Sequence, residues 1–402
     1  MAAADRSCPN ESDGVIATEA GTQAPLSGIR VLDLSTFVPG PMATLLLAEA
    51  GATVIKVERP GTGDQMRRVP PHLGDVGATF ALLNRRKRLV VADLKDETDR
   101  RCVLDLVRQA DVVVEQFRPG VAARLGLGYE DVRAINPQVV YCSISGYGQQ
   151  GPRAGRAAHD LNYLAESGLL SLATGSDGTP AMPFTVLADI AGGAYPAVLN
   201  ILLALRMRDA SGEGTHLDIA MAANVGPLAY RYLAKWEAET ALRGQAEPPV
   251  PNGEHLTGGT ARYRLYRTGD DRFVAVAAVE DHFWQRLAEL IDLPETYTDD
   301  HSAENRADPR RVIDAVARRI AARTAAHWEA LFDGEDVCAT VVASFAEAVA
   351  SGTLSVDREH LIRTEDGTEL GSLPIPLSAP VRAASSRWAH PPATHISAVT
   401  GW

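Results

Sequence analysis

Apolar residues recur along this chain in two rhythms. Short unbroken runs alternate with longer stretches spaced three and four apart. Gly28-Ile29-Arg30-Val31-Leu32-Asp33-Leu34 is such a run and reads as a strand. Pro39-Gly40-Pro41 follows, and the spacing predicts a helix over Met42–Gly51 with Pro41 in its first turn. Ala52–Glu58 is the next strand, completing a β-loop-α-β unit of the kind that builds parallel sheets. The alternation continues through strands at Leu89–Leu94, Asp111–Glu115, Val139–Ser145 and His216–Ala220. Helices are predicted at Glu97–Gln109, Tyr129–Ile135 and Ala194–Arg206, with a further one ending near Trp236. This is the pattern of an α/β, Rossmann-like domain with a parallel sheet covered on both faces.

The rhythm changes after residue 225. Leu242–Thr260 is rich in Gly, Pro, Glu and Asn, which marks a linker. Ala261–Arg267 and Phe273–Ala278 read as a hairpin across Thr268-Gly269-Asp270-Asp271-Arg272. Helices are predicted at His282–Ile291, Pro309–Thr324 and Ala326–Phe332. The expected layout is a flexible N-terminal tail over 1–24, a large domain over 25–225 and a linker over 226–260. A smaller α+β domain follows over 261–334, and the segment 335–402 is expected to rejoin the large domain.

The segment Ala158-His159-Asp160-Leu161-Asn162-Tyr163-Leu164 concentrates candidate chemistry. Asp160 is read as an N-cap, with Leu161, Leu164 and Ala165 at helical spacing behind it. A helix start also offers free N–H groups and a positive dipole end. A base (His159), a carboxylate (Asp160) and an anion-binding amide thus fall together; a capped helix with a chance histidine is the alternative. Asp189 lies at the start of the apolar helix among small residues, where it would equally serve as a cap.

Composition narrows the choices. The chain has 402 residues and a formal net charge of -12, which argues against general nucleic-acid binding and against anionic membranes as partners. Its four cysteines form no C-x-x-C pair, so no metal or redox motif is indicated, and their sparseness fits a cytoplasmic protein. No run is expected to reach transmembrane length. Gly146-Tyr147-Gly148-Gln149-Gln150-Gly151 matches G-x-G-x-x-G, but Pro152-Arg153-Ala154-Gly155-Arg156 follows where a dinucleotide site needs a helix.

A series of motifs in a fixed order resembles the family III coenzyme A-transferase superfamily, CaiB/BaiF-like, which includes the α-methylacyl-CoA racemases. The motifs are Pro25–Val31, Pro39-Gly40-Pro41, Lys56-Val57-Glu58-Arg59-Pro60, Asn84-Arg85-Arg86-Lys87-Arg88 and Phe117-Arg118-Pro119-Gly120. Ser145–Gln149, Leu187-Ala188-Asp189 and Ser211-Gly212-Glu213-Gly214 complete them. The resemblance runs from about Pro25 to about Ser344 and implies an interlocked-ring homodimer with a site shared between chains. It implies acyl-CoA thioester substrates, with coenzyme A carried by the substrate and no prosthetic group or metal.

By this resemblance, two chemistries are available. In the racemases a histidine matching His159 and an aspartate matching Asp189 act as two bases, and a glutamate matching Glu280 holds the histidine. Racemisation proceeds by 1,1-proton transfer through an enolate, with Asp160 a cap and scaffold. In the acyl-CoA:carboxylate CoA-transferases the aspartate matching Asp160 is a covalent nucleophile. A non-catalytic thioester-binding protein is a third reading. The resemblance also places Arg59 near the ribose 3′-phosphate, Arg118 and Arg124 near the other phosphates, and Val91, Ala92, Asp93 and Leu94 at the adenine. Ala158 and Thr185 depart from the racemases' usual glycine and asparagine, and Glu254-His255-Leu256-Thr257-Gly258-Gly259 from their Met-Leu-Asp-Gly-Gly pattern. The leading expectation is a racemase or epimerase of 2-methylacyl-CoA thioesters; the CoA-transferase is the alternative.

Overall fold

The computed structural model describes residues 24–402 except 176, 364–366, 385–387, 390–392 and 400. The tail expected over 1–24 lies outside the described residues but for Ala24. Seven parallel strands form the main sheet: β1 (Arg30–Leu34), β2 (Thr53–Glu58), β3 (Lys87–Val91), β4 (Val112–Glu115), β5 (Val140–Ser145), β6 (Thr215–Ala220) and β7 (Thr394–His395). Their spatial order is β7-β3-β2-β1-β4-β5-β6, so the chain reverses its direction of travel between β1 and β4. That is a doubly wound sheet, whose ligands bind outside the carboxyl ends of the strands at such a reversal. The central strands are buried on both faces, which is why they read as continuous apolar runs.

One face of the sheet is covered by helix Pro39–Glu49, the π-helical segment Ala188–Ala194 and helix Tyr195–Ser211. Glu97–Val107 and Tyr129–Ile135 cover the other. Residues 188–211 form a 24-residue apolar helical run, long and apolar enough by length and composition to cross a membrane. This corrects the expectation that no run reaches that length. Its inner side, Ala194, Ala197, Ile201 and Leu205, packs into the core of this domain.

The smaller unit is an antiparallel sheet of Tyr263–Arg267, Phe273–Ala277 and Ala339–Val341, backed by helices Asp281–Leu290, Arg310–Ala321 and Ala325–Phe332. Val337, Ala339 and Val341 are buried in the small core, so the start of the segment 335–402 belongs to the small unit. Its later part meets the large domain: Arg382 pairs with Glu49 and Ile396 is buried in the large core. Among the described residues of the segment, only β7 enters the large sheet. Most of the linker's first half is helix Tyr230–Arg243.

Two members of the basic cluster after residue 84 are buried in ion pairs, while Arg88 stays exposed. Arg85 is buried against Glu49 at 2.7 Å and Lys87 against Asp33 at 3.1 Å. Arg86 and Arg88 reach the carbonyls of Ala384 and Gly401 and fasten the C-terminal segment.

Candidate active site

The carboxyl ends of β1, β2 and β3 open into a cleft of about 330 Å³ beside the reversal point. Arg59, Ala92, Asp93 and Leu94 line it, together with Thr36 and Phe117. Val91 is the last residue of β3 and is not in the lining. Arg118 follows the lining residue Phe117 and is exposed, and Arg124 closes helix Val121–Arg124 just before the lining residue Leu125. Arg59 is exposed, with Nε donating to Gly63 O at 3.3 Å. Arg59 alone of the three lines the cleft; Arg118 and Arg124 are exposed and adjoin the lining residues Phe117 and Leu125 in sequence.

The lining residue Asp64 belongs to a buried charge network. Lys87 Nζ donates to Asp33, Asn84 and Pro41 O, and Lys56 Nζ donates to Ser35 O at 2.6 Å and pairs with Asp64 at 3.1 Å. Burial alone would raise the Asp33 carboxyl. Lys87, then Lys56, and hydrogen bonds from Ser35 and Thr44 outweigh it and hold the group well below the carboxylate range. Burial likewise pulls the Lys87 ammonium down to about 8 against the opposing charge of Asp33. Lys56, Asn84 and Lys87 lie in motifs quoted above, but the pairing of the lysines with Asp33 and Asp64 was not visible in the sequence.

The second set of groups lies where β5 hands over to helix Asp160–Glu166. The loop from Gly146 stays non-helical up to His159, so the glycine pattern there opens no helix. His159 sits at the N-cap position, and its N–H donates to Asn162 Oδ1 at 3.0 Å. Asp160 is the first helical residue and does not cap. Its carboxylate accepts instead from the backbone N–H of Asp189 at 2.9 Å, an arrangement that sequence spacing could not show. This bond brings the two aspartates together one residue from His159. Burial, and then the charge of Asp160, push the Asp189 carboxyl up to about 7. Burial, followed by the charge of Asp189, likewise raises the Tyr163 phenol to about 12, and its hydroxyl donates to Ala158 O at 2.9 Å.

His159, Asp160 and Thr185 line an open cleft of about 500 Å³ with Met182, Pro183 and Phe184. Those last three also line an adjoining cavity of about 510 Å³ whose other walls include Leu164, Leu170, Leu187 and Leu228. Among the described residues lining the two cavities there is no lysine or arginine. Glu280 is not brought to His159 within the chain. It occupies the N-cap position of helix Asp281–Leu290 in the small unit and lines neither cavity.

The pattern of CoA-transferase family III matches residues 26–394. The chain is 36% identical over 316 residues to an acetyl-CoA:oxalate CoA-transferase of Acetobacter aceti, covering 77% of this chain and 79% of that protein. It is also 36% identical over 330 residues to the human alpha-methylacyl-CoA racemase, covering 81% and 79%. A CAIB/BAIF family protein from Brucella suis superposes with a TM-score of 0.75 at 28% identity, over 92% of this chain and 97% of that chain.

Proposed function

Because this chain belongs to CoA-transferase family III, we propose that it is a racemase or epimerase of 2-methylacyl-CoA thioesters. The observation that supports the reading is the hydrogen bond from the Asp189 N–H to Asp160, which ties Asp189 to the residue next to His159. A 1,1-proton transfer needs one proton acceptor and one proton donor on opposite faces of the α-carbon. Histidine is a residue type that both accepts and donates protons, and Asp189 is pushed up to about 7. The reaction uses the pair with one member protonated and the other free. One takes the α-proton and the bonding pair shifts toward the thioester oxygen. The other then returns a proton to the opposite face, and the roles exchange for the other enantiomer. The amide N–H of Asp160, which has no acceptor among the described residues, is a donor for the enolate oxygen.

The coenzyme A portion would lie in the cleft at the sheet edge. Arg59, Arg118 and Arg124 would meet its phosphates, with Val91, Ala92, Asp93 and Leu94 on the adenine side. The acyl portion would enter the apolar cavities beside His159. A dicarboxylate acceptor such as oxalate needs a cation for its second carboxylate, and the absence of Lys or Arg from their described lining favours the racemase.

We further propose a homodimer in which the partner's small unit completes the site with its own Glu280. Helix Tyr195–Ser211 leaves Leu199, Leu203 and Met207 exposed, and Tyr230–Arg243 leaves Tyr230, Leu233 and Trp236 exposed. Apolar faces of this extent mark an association surface.

The transferase reading has one observation of its own: Asp160 lines the same cleft. Incubating a single enantiomer of a 2-methylacyl-CoA in deuterated water, with an isotopically labelled free carboxylic acid, separates the two. Deuterium at the α-carbon with loss of optical purity is the expected result. Label entering the CoA pool without α-exchange would replace the racemase by the transferase.

A further inference from the structure

We propose that Phe37 is a positioning residue for the His159 imidazole, held in place by the same turn that lines the sheet-edge cleft; the inference rests on reading His159 as a base. His159 is exposed, and its ring nitrogens have no hydrogen-bond partner among the described residues. Its one described ring contact is with Phe37, at a centroid distance of 6.1 Å and an interplanar angle of 74°. An exposed imidazole without a hydrogen bond to fix its rotamer depends on packing for its direction. This edge-to-face contact supplies it.

The backbone around Phe37 shows what holds the ring there. Phe37 has φ = +63°, the left-handed region that a side chain of this size rarely adopts. Several groups force the conformation. Ser35 is bound to Asp33 through both N–H and Oγ, and its carbonyl accepts from Lys56 Nζ. The Phe37 N–H donates to Asp64 Oδ1 at 3.3 Å, and Asp64 Oδ2 pairs with the same Lys56. Gly40 packs so closely that a Cβ there would lie 2.2 Å from Ser35 Cβ. Glycine would relieve the strain at position 37, yet the chain carries a phenyl ring that touches His159. Such an outlier, over-determined by its surroundings, points from the observed strain to a role in the site. The neighbouring Thr36 lines the sheet-edge cleft. One turn therefore touches both the cleft proposed for coenzyme A and the proposed base.

The test compares Phe37→Gly with Phe37→Tyr. Glycine accepts the left-handed backbone and removes the ring, so the melting temperature should hold or rise. The rate of α-proton exchange should fall about tenfold in kcat, with KM for the thioester changed less than about twofold, as expected for misdirection of a group rather than loss of binding. The NMR signal of the His159 ring, assigned by its loss in His159→Ala, should move in Phe37→Gly while the other histidines of the ten stay put. Phe37→Tyr should restore both rate and signal. An exchange rate within about twofold of the parent, with an unmoved His159 signal in Phe37→Gly, would overturn the proposal. If Phe37→Gly fails to fold, Phe37→Leu carries the same readouts. Absence of α-exchange in the parent protein would remove the racemase reading, and the His159 signal would then decide the role of Phe37 by itself.

Discussion

Two regions of this molecule bury carboxylates, and they do so to opposite ends. Within the parallel sheet, Asp33 is enclosed with two lysines and two hydroxyl donors, and stays ionised. Beside His159, Asp189 is enclosed with a second carboxylate and no described cationic partner, and is pushed up to about 7. The chemical group is the same; the company differs. A buried carboxylate with cations is a fastening. One without them is a group that exchanges protons near neutrality, which is what an acid–base catalyst requires.

The largest expected effect falls on the side that exchanges protons. Changing His159 or Asp189 to alanine should lower α-proton exchange by roughly 10²–10⁴-fold, followed by deuterium uptake, while circular dichroism stays at the parent spectrum. An effect under about tenfold in either variant would break the contrast, because a group that merely packs has been mistaken for a catalyst. On the fastening side, Lys87→Met strands Asp33 with one lysine fewer. Removing one partner of a buried pair costs about 3–5 kcal/mol, measurable by urea unfolding.

The pH dependence of stability separates the two carboxylates by sign. Asp189 has a folded pKa near 7, above its unfolded value near 4. Between these values the unfolded chain has released the proton and the folded chain retains it. The contribution of Asp189 to stability is therefore present below about pH 4 and lost as pH rises through about 7. Asp189→Asn removes that loss. Its stability relative to the parent should be near zero at about pH 4 and reach roughly 4 kcal/mol above about pH 7.5. For Asp33, whose folded pKa is depressed, the sign is reversed. Its stabilisation is present at neutral pH and is lost on acidification. The smallest effect is a control. The exposed Glu97–Arg101 pair is charged but unburied, and Arg101→Ala should change stability by no more than about 0.5 kcal/mol.

The same two regions show what a sequence discloses. The parallel sheet was legible because strands buried on both faces leave unbroken apolar runs, and the βαβ spacing of β1 and β2 follows from chain reach. His159, Asp160 and Asp189 stood out because those residue types at a helix start resemble a known motif. Their mutual geometry was not legible. The carboxylate of Asp160 looked like a cap, but its hydrogen bond goes to a residue 29 positions away. The charge network was hidden for the same reason: Lys87 and Asp33 are 54 positions apart, Arg85 and Glu49 36. A dense basic run reads as surface until its partners arrive through folding. Strand β7 escaped because two residues carry no periodicity, and Ala339–Val341 because a short edge strand is defined by its neighbour.

The central claim is that Asp189 is a proton-exchanging group placed beside His159. The most direct measurement is a pH titration of the protein carrying ¹³C-labelled aspartate carboxyls, with Asp189→Asn used to assign the signal. The account predicts one aspartate resonance with a midpoint near 7 that disappears in Asp189→Asn. A set of aspartates that all titrate in the ordinary carboxylate range, near 4 or below, would contradict it.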